Sequence, residues 1–365
     1  MPILTVNAGS SSVKLRLVDD DDTILAEREL AAPRTEVDPG ELRAALGGAL
    51  AGADVVAHRI VHGGERYVAA TVVNGDVRRA LGELTELAPL HQPKSLAALD
   101  AVSAWVPDVP AVACFDTAFH ATLPPAASTY ALPARWRERW GLRRFGFHGL
   151  SHSWVARRAP ELVVGGERPR RIVSCHLGAG ASLCAIASGR SLDTTMGFTP
   201  LEGLVMATRS GSVDPGLLLW LLEREAVSER QMAAALEHES GLAGLVGDSD
   251  MRTVLQRAGQ GDAQAAAAVE VYIHRLRGGI GAMTAALGGI DALVFTGGVG
   301  EHAPEIRAAA AAPLAYLGVR VDKAANDDVA GDADISAGGA AVRTLVLRAR
   351  EDLEMARQAR QALSG

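Results

Sequence analysis

Two stretches of this chain share one design, and their repetition constrains the fold more than any other feature. In residues 6–13 and again in residues 176–183, a tight turn of small residues separates two apolar runs that read as β-strands. Such turns between apolar runs are typical of β-hairpins. Because one hairpin lies near the start of the chain and the other near its middle, the repeat predicts two related lobes that face a cleft.

The pattern of the other apolar residues predicts α/β lobes. The chain has 365 residues, which corresponds to two domains on the usual scale of roughly 100–200 residues each. Strand-like runs alternate with stretches of helical period. The predicted strands are residues 3–6, 13–18, 24–30, 55–58, 109–115, 172–175, 183–187 and 292–296. The predicted helices are residues 77–87, 96–104, 215–225, 229–237, 263–287 and 351–363.

Charge and hydropathy exclude several classes of protein. The formal net charge is −7, whereas nucleic-acid binding needs clustered Lys and Arg, so no nucleic-acid partner is expected. No run approaches the ~20 apolar residues of a membrane span, and the N-terminus lacks the pattern of a signal peptide. The three cysteines lie in apolar runs without CxxC spacing, which favours buried thiols. We therefore expect a cytoplasmic protein with no membrane partner.

The turn of the first hairpin is a candidate phosphate site. Its glycine and serines expose backbone N–H groups that suit phosphate oxygens, and Asn7, Ser10 and Ser12 add side-chain donors. Lys14 adds positive charge just beyond the turn. An ordinary tight hairpin also needs small residues, so both interpretations stay open here. The turn is not a P-loop, because GxxxxGK[ST] is absent from the sequence.

A second glycine-rich turn follows the predicted strand at residues 292–296. Gly297, Gly298 and Gly300 precede a predicted helix start, where backbone N–H groups and the helix dipole favour phosphate or ribose contact. The third position of a GxGxxG fingerprint is Ala303, so an NAD-dependent dehydrogenase is poorly supported.

Four polar residues stand beside turns or strand ends: Arg59, Asp116, His148 and Arg209. Arginines beside Gly and Ser turns can bind a carboxylate or phosphoryl group through paired hydrogen bonds, and surface salt bridges are the alternative. A carboxylate at the end of a strand often faces a ligand crevice or holds Mg²⁺, and a helix N-cap is the alternative for Asp116. His148 lies between glycines, which favours a hydrogen-bond donor over a zinc ligand, since HExxH is absent.

Seven longer segments of the chain match a known sequence pattern. They are NAGSSSVK at residues 7–14, HRIVHGGE at 58–65, APLH at 88–91, FDTAFH at 115–120, FGFHG at 145–149, MGFTPLEGL at 196–204 and TRSGS at 208–212. In this order they resemble the acetate and propionate kinase family, and the resemblance runs nearly from end to end of the chain.

The resemblance implies a fold, an activity and an assembly. The fold is the sugar kinase, Hsp70 and actin superfold, in which two ribonuclease-H-like α/β lobes enclose a nucleotide cleft. The N-terminal lobe would comprise residues 1–117 and 352–365, and residues 118–351 would form the C-terminal lobe with the nucleotide site. The implied activity is reversible transfer of the ATP γ-phosphoryl group to acetate by direct in-line attack, with Mg²⁺ or Mn²⁺. A homodimer is implied as well.

The resemblance also implies roles for single residues. The implied catalytic residues are Arg59, Asp116, His148 and Arg209. The implied substrate-binding residues are Arg59, Val61, Leu90, His91, Phe147 and Pro200. The implied nucleotide-binding residues are Asn7, Ser10, Ser12, Lys14, His176, Gly178, Gly180, Asp250, Arg252, Gly298, Val299 and Gly300. The implied metal-binding residues are Asn7 and Glu351.

One departure from the family pattern keeps alternatives open. Ala179 stands where the family usually has Asn, and the lost donor to a charged phosphate would cost roughly 1.5–3 kcal/mol if nothing replaces it. The alternatives are therefore a kinase that prefers propionate or butyrate, and a nucleotide-binding sensor with altered use of the phosphoryl donor. Acetate is favoured, because the four apolar residues of the implied substrate wall agree with acetate-type members.

Overall fold

The computed structural model describes residues 1–9, 12–31, 40, 44, 52–88, 92–163, 168–224 and 227–364. The chain divides into two compact units. The first comprises Met1–Ala121, Phe147–Trp154 and Arg350–Gly365, and the second comprises Thr122–Gly146 and Val155–Ala349. These units differ from the lobes expected from the sequence at residues 118–121, 147–154 and 350–351, and the division into domains stays a prediction.

The described strands form two six-stranded sheets, one in each unit. In the first unit the strands are β1 (Ile3–Ala8), β2 (Ser12–Val18), β3 (Ile24–Ala31), β4 (Val55–Ile60), β5 (Thr71–Val72) and β6 (Ala111–Phe115). In the second unit they are β7 (Arg171–Leu177), β8 (Ala181–Ala187), β9 (Arg190–Thr194), β10 (Ala292–Thr296), β11 (Ala333–Asp334) and β12 (Arg343–Val346).

Helices occupy most of the intervening chain. In chain order they are α1 (Gly75–Glu83), α2 (Gln92–Trp105), α3 (Pro125–Ser128), α4 (Ala134–Trp140), α5 (Gly149–Leu162), α6 (Pro215–Glu223), α7 (Glu229–His238), α8 (Gly241–Val246), α9 (Met251–Gly259), α10 (Ala263–Ala286), α11 (Gly297–His302), α12 (Pro304–Ala311), α13 (Lys323–Asp327) and α14 (Glu351–Ser364). Short 3₁₀ turns span Leu84–Leu87, Ala118–Thr122 and Ala312–Leu317.

The two sheets have the same topology. The strand order is β3-β2-β1-β4-β6-β5 in the first and, in the corresponding direction, β9-β8-β7-β10-β12-β11 in the second. In each sheet an antiparallel hairpin and a third antiparallel strand are followed by two parallel strands, with a short antiparallel strand at the edge. The repeated hairpin in the sequence is therefore the start of each sheet, and the predicted pair of related α/β lobes is confirmed.

Alternation along β1 places helices on both faces of the first sheet. Leu4 and Val6 pack on one face with Ala98 of α2, whereas Ile3 packs on the other face with Leu353 of α14. Side chains of successive strand residues point to opposite faces, so a strand covered on both sides is apolar at nearly every position. This arrangement buries β1 from Ile3 to Val6 and again at Ala8, and leaves Asn7 between them half-buried.

Cys114, Cys175 and Cys184 are free and buried, as predicted, and burial raises the pKa of each thiol above its ordinary value. Within the described ranges, no helix has the length and hydropathy needed to cross a bilayer.

Candidate active site

Arg59 and Asp116 form a buried ion pair at the ends of two neighbouring strands. Arg59 lies near the end of β4 and Asp116 directly follows β6, and these strands run parallel. Arg59 Nη2 lies 2.6 Å from Asp116 Oδ2, and Arg59 Nε lies 3.1 Å and 3.0 Å from the two carboxylate oxygens. The Arg59 side chain is 14% exposed and that of Asp116 is 1% exposed. The pair therefore fixes the guanidinium group in one orientation.

Asn7 connects this ion pair to Glu351. Arg59 Nη1 donates to Asn7 Oδ1 at 3.1 Å, and Asn7 Nδ2 donates to Glu351 Oε2 at 2.7 Å. Asn7 lies near the end of β1, and Glu351 is the first residue of α14. Four residues predicted from separate motifs are thus joined in one hydrogen-bonded network within the first unit.

Electrostatics keep the Arg59 guanidinium charged. Burial opposes its charge, but the carboxylates of Asp116 and Glu351 outweigh that effect and raise the pKa of Arg59. Burial raises the pKa of Asp116 as well; Arg59 opposes this rise and Glu351 adds to it. A fixed, charged guanidinium group is suited to binding a carboxylate or a phosphoryl group.

Phe147, His148 and Gly149 form a tight turn in the same unit. His148 has a φ of +56°, a left-handed conformation that is uncommon for a non-glycine residue and costs of order 1–3 kcal/mol. Gly149 N donates to Asp116 O at 2.8 Å, and His120 Nε2 lies 3.0 Å from Phe147 O. The Phe147 side chain is buried and the His148 side chain is half-buried. Hydrogen bonds on both sides of His148 therefore maintain its strained backbone.

Replacing Gly149 with alanine is expected to lower the free energy of unfolding by about 1–3 kcal/mol. A Cβ at this position would lie 2.2 Å from Asp116 O, a backbone atom that cannot move aside without disturbing Asp116. Urea unfolding measures the change. The control is Gly75→Ala in the same unit, where no atom lies within 4 Å of the added Cβ and a change within about 0.5 kcal/mol is expected. Equal stability of the two variants would contradict the tight approach.

The loop after β4 is held by side chains from two other segments. Gln92 Oε1 accepts from His62 N at 3.1 Å, and Gln92 Nε2 donates to His62 O at 3.1 Å. Thr117 Oγ1 accepts from Gly63 N at 3.1 Å. Val61, a predicted substrate-wall residue, is buried immediately before this loop. Gln92 and Thr117 are contributors that the sequence interpretation missed, because neither residue type signals contact with a distant backbone.

The described residues on either side of the first hairpin turn are Gly9 and Ser12. Gly9 N donates to Ser12 O at 2.8 Å. Ser12 Oγ donates to Glu29 Oε1 at 2.7 Å, and the side chain of Lys14 is exposed. Phosphate binding by this turn stays a prediction. Three predicted site residues lie outside the described part of the chain: Ser10, Leu90 and His91.

The equivalent turn of the second unit joins β7 and β8. Gly178 N donates to Gly180 O at 2.9 Å, which closes the turn, and His176 is half-buried on β7 just before it. Ala179 is exposed at the tip, and its carbonyl oxygen accepts from Ala207 N at 3.1 Å. The two predicted phosphate turns therefore occupy the same position in their respective sheets.

The glycine turn after β10 begins helix α11. Gly297 has a φ of +78°, and a Cβ there would lie 2.8 Å from Leu177 O, so only glycine fits without strain. Glu301 Oε1 accepts from Gly297 N and from Ala349 N, both at 3.0 Å. The other predicted nucleotide residues of this segment lie on α11 itself: Gly298, Val299 and Gly300.

A buried arginine supports the end of α11. Arg307 is 1% exposed. Its Nη1 donates to Gly300 O at 3.0 Å and to Glu301 O at 2.8 Å. Its Nε donates to Asn326 Oδ1 at 2.8 Å, and its Nη2 donates to Asn326 O at 2.6 Å. The sequence interpretation missed this residue, which lies in an alanine-rich helix with no local sign of burial.

Two of the predicted nucleotide-binding residues, Asp250 and Arg252, form an ion pair with each other. Asp250 is the N-cap of α9 and accepts from Arg252 N at 2.9 Å, and Arg252 Nη2 lies 2.7 Å from Asp250 Oδ2. The hydrogen bonds from Arg252 lower the pKa of Asp250 below its ordinary value. The Arg252 side chain is 86% exposed, which leaves its charge facing solvent.

Arg209 is held against the loop that carries Pro200. Arg209 Nη1 donates to Pro200 O at 2.8 Å. The same loop includes Glu202, which accepts from Arg144 Nη2 at 2.7 Å and from the Tyr130 hydroxyl at 2.6 Å. Burial, together with the hydrogen bond to Glu202, raises the pKa of Tyr130 above its ordinary range. Arg144 and Tyr130 are supporting residues that the sequence did not reveal, although Glu202 lies within a recognised string.

Comparison with known proteins agrees with the resemblance in the sequence. Residues 42–357 match the acetokinase family. The acetate kinase of Nostoc punctiforme is 49% identical over 311 residues, which cover 85% of this chain and 76% of that protein. The crystal structure of Porphyromonas gingivalis acetate kinase aligns with a TM-score of 0.89 at 33% identity, over 99% of each chain. The propionate kinase structure from Francisella tularensis aligns with a TM-score of 0.89 at 32% identity, over 98% of each chain.

Proposed function

This chain belongs to the acetokinase family, and we propose that it is an acetate kinase, which transfers the γ-phosphoryl group of ATP to acetate. The products are acetyl phosphate and ADP, and the reaction is reversible. The same proposal includes a cytoplasmic protein that works as a homodimer, with ATP as co-substrate.

The buried network around Arg59 is the observation that carries this proposal. Its guanidinium group is charged and is fixed by Asp116 and Asn7 at the ends of adjacent strands. Phosphoryl transfer depends mainly on positioning and on neutralising charge around a loose transition state. In the proposed reaction Arg59 holds the acetate carboxylate, and Arg209 and His148 donate hydrogen bonds to the phosphoryl group in transit.

The proposed chemistry needs no general base. A carboxylate is already ionised at neutral pH, so an acetate oxygen attacks the γ-phosphorus directly and forms the new P–O bond. The bond from phosphorus to the β–γ bridging oxygen breaks, and that oxygen leaves on ADP without needing a proton. The network supports this chemistry, because it offers the charged guanidinium donor of Arg59 and the paired carboxylate of Asp116.

The donor set around Asn7 fits Mg²⁺ as part of a nucleotide complex. Among the residues that the structure describes, no three His, Cys, Asp or Glu side chains are grouped to hold a metal ion. Mg²⁺ in kinases is commonly held by one or two carboxylates together with phosphate oxygens and water. Glu351 supplies one carboxylate, and Asn7 Nδ2 orients it. Bound there, Mg²⁺ would neutralise phosphate charge.

Replacing Glu351 with glutamine is expected to raise the Mg²⁺ concentration for half-maximal rate by about tenfold or more. Glutamine keeps an oxygen that can accept from Asn7, but it removes the negative charge that attracts the cation. A Mg²⁺ titration of the initial rate measures the effect. Glu27→Gln, which alters an exposed carboxylate of the same unit, serves as the control. An unchanged Mg²⁺ requirement in Glu351→Gln would show that the metal is held elsewhere.

The acyl-hydroxamate assay tests the proposed function directly. The protein is incubated with Mg²⁺, either ATP or pyrophosphate, and acetate, propionate or butyrate in turn, beside the Arg209→Ala variant. Hydroxamate formed from acetate and ATP, and lost in the variant, would support the proposal. Higher kcat/KM with propionate or butyrate would assign a longer substrate. Product only with pyrophosphate, or tight ATP binding without product, would overturn it and point to the altered turn at Ala179.

A further inference from the structure

We propose that His120 is a positioning residue that fixes the backbone on which His148 acts. This inference rests on the proposed function, because it assumes that His148 contacts the transferring phosphoryl group. It adds a residue that does not itself contact the substrate. His120 lies in the 3₁₀ turn Ala118–Thr122, close after Asp116, and is 1% exposed.

The hydrogen bond from His120 has one chemical interpretation. His120 Nε2 lies 3.0 Å from Phe147 O, and both groups are buried. A carbonyl oxygen only accepts hydrogen bonds, so Nε2 carries the proton and donates it to this contact. The Phe147 carbonyl belongs to the peptide group that joins Phe147 to His148. The imidazole of His120 therefore fixes the peptide plane on the N-terminal side of His148.

The peptide plane on the other side of His148 is fixed as well. Gly149 N donates to Asp116 O at 2.8 Å, and His148 O accepts from His152 N at 3.0 Å at the start of α5. The left-handed φ of +56° at His148 is thus set by hydrogen bonds to both flanking peptide groups. Two of these three bonds come from the segment that also carries Asp116, the partner of Arg59. One short segment therefore positions both Arg59 and the His148 turn.

Packing leaves the His120 ring little freedom to move. The ring of His152 contacts it edge-on at 5.6 Å between centroids, and the ring of Phe119 does so at 5.7 Å. His152 is buried at 0% exposure. A buried ring packed in this way can present its N–H group to Phe147 without rearrangement. The loss of that donor would leave the Phe147 carbonyl without this bond and allow the strained backbone of His148 to relax.

A double-mutant cycle separates this role from a general structural one. His120→Leu removes the donor at similar size, and His120→Gln keeps an N–H donor near the position of Nε2. Each change is made in the unmodified protein and in His148→Ala, and kcat and KM for ATP are measured by the hydroxamate assay. We expect His120→Leu to lower kcat at least tenfold with KM for ATP changed less than twofold, and His120→Gln to recover at least threefold.

The cycle gives the decisive result. If His120 acts through His148, then adding His120→Leu to His148→Ala changes kcat less than twofold, because the residue being positioned is already gone. A further tenfold loss in that background would overturn the inference. If His148→Ala alone keeps full kcat, the role of His148 in the proposed function fails instead, so the two failures are distinguishable.

A second pair of variants serves if His120→Leu does not fold, as judged by thermal unfolding. His120→Asn and His120→Gln place an amide donor at different distances from the backbone, so they test the same donor position. Equal kcat in these two variants would overturn the inference.

Discussion

Replacing Arg59 with glutamine is expected to lower kcat about a thousandfold and the free energy of unfolding by about 3–5 kcal/mol. The loss of rate follows from removing a fixed positive charge that stabilises developing negative charge in the transition state. The loss of stability follows because the Asp116 carboxylate, 1% exposed, would lose its ion-pair partner, and breaking a buried pair from one side is costly. Hydroxamate formation and urea unfolding measure the two effects.

A second variant separates the two consequences of losing Arg59. In Arg59→Gln/Asp116→Asn the buried negative charge is removed along with the positive one, so most of the stability should return while kcat stays low. Arg59→Lys keeps the charge, but an ammonium group cannot reproduce the fork that reaches both Asp116 and Asn7. Recovery of kcat in the double variant would show that Arg59 contributes only to folding and would contradict its proposed contact with substrate.

Replacing Arg209 with alanine is expected to lower kcat by about a hundredfold to a thousandfold, with a much smaller change in KM for ATP. Removal of a single donor to developing negative charge typically has an effect of this size. Arg209 Nη1 is bonded to Pro200 O, so the guanidinium group is already oriented and loses little freedom on binding. Steady-state kinetics in ATP and in acetate measure the two constants separately.

Two controls define what the Arg209 result means. Arg320→Ala changes an exposed arginine of the same unit and should leave both constants within twofold. Arg209→Lys should recover only part of the rate. Lysine can partly neutralise the charge of the phosphoryl group, but it cannot donate paired hydrogen bonds to the phosphoryl oxygens. A variant that raised KM for ATP tenfold at unchanged kcat would assign Arg209 to nucleotide binding in the ground state instead.

Local patterns in the sequence predicted eight of the twelve described strands and six of the fourteen described helices. The run at residues 292–296 is a strand with those bounds, and the hairpin repeat starts both sheets. Strand ends lie one or two residues beyond the predicted bounds in several cases, as at β4 and β7, because pairing with a neighbouring strand extends a strand beyond its apolar run. Helix α14 was predicted to within one residue of its end.

Local sequence patterns could not predict which distant residues form hydrogen bonds with the candidate site residues. Asp116 was placed correctly after a strand, but its bond to Arg59 joins residues 57 positions apart, and only the parallel pairing of β4 with β6 brings them together. His120 lies within the recognised string at residues 115–120, but nothing in the sequence predicted its hydrogen bond, which depends on a turn 27 residues later. The resemblance to a family named residues one by one, whereas the structure shows which of them act as a group.

The position of helix α14 in the first unit affects when that unit can fold during translation. Helix α14 covers the face of the first sheet that contains Ile3, and its first residue is bonded to Asn7 across 344 positions of sequence. At the usual rate of about 5–20 residues per second, translation separates the appearance of β1 and α14 by roughly 20–70 s. Throughout that interval β1 has already been synthesised, but the face that contains Ile3 is not yet packed against α14. The first unit is therefore completed last, because it needs a helix from the end of the chain.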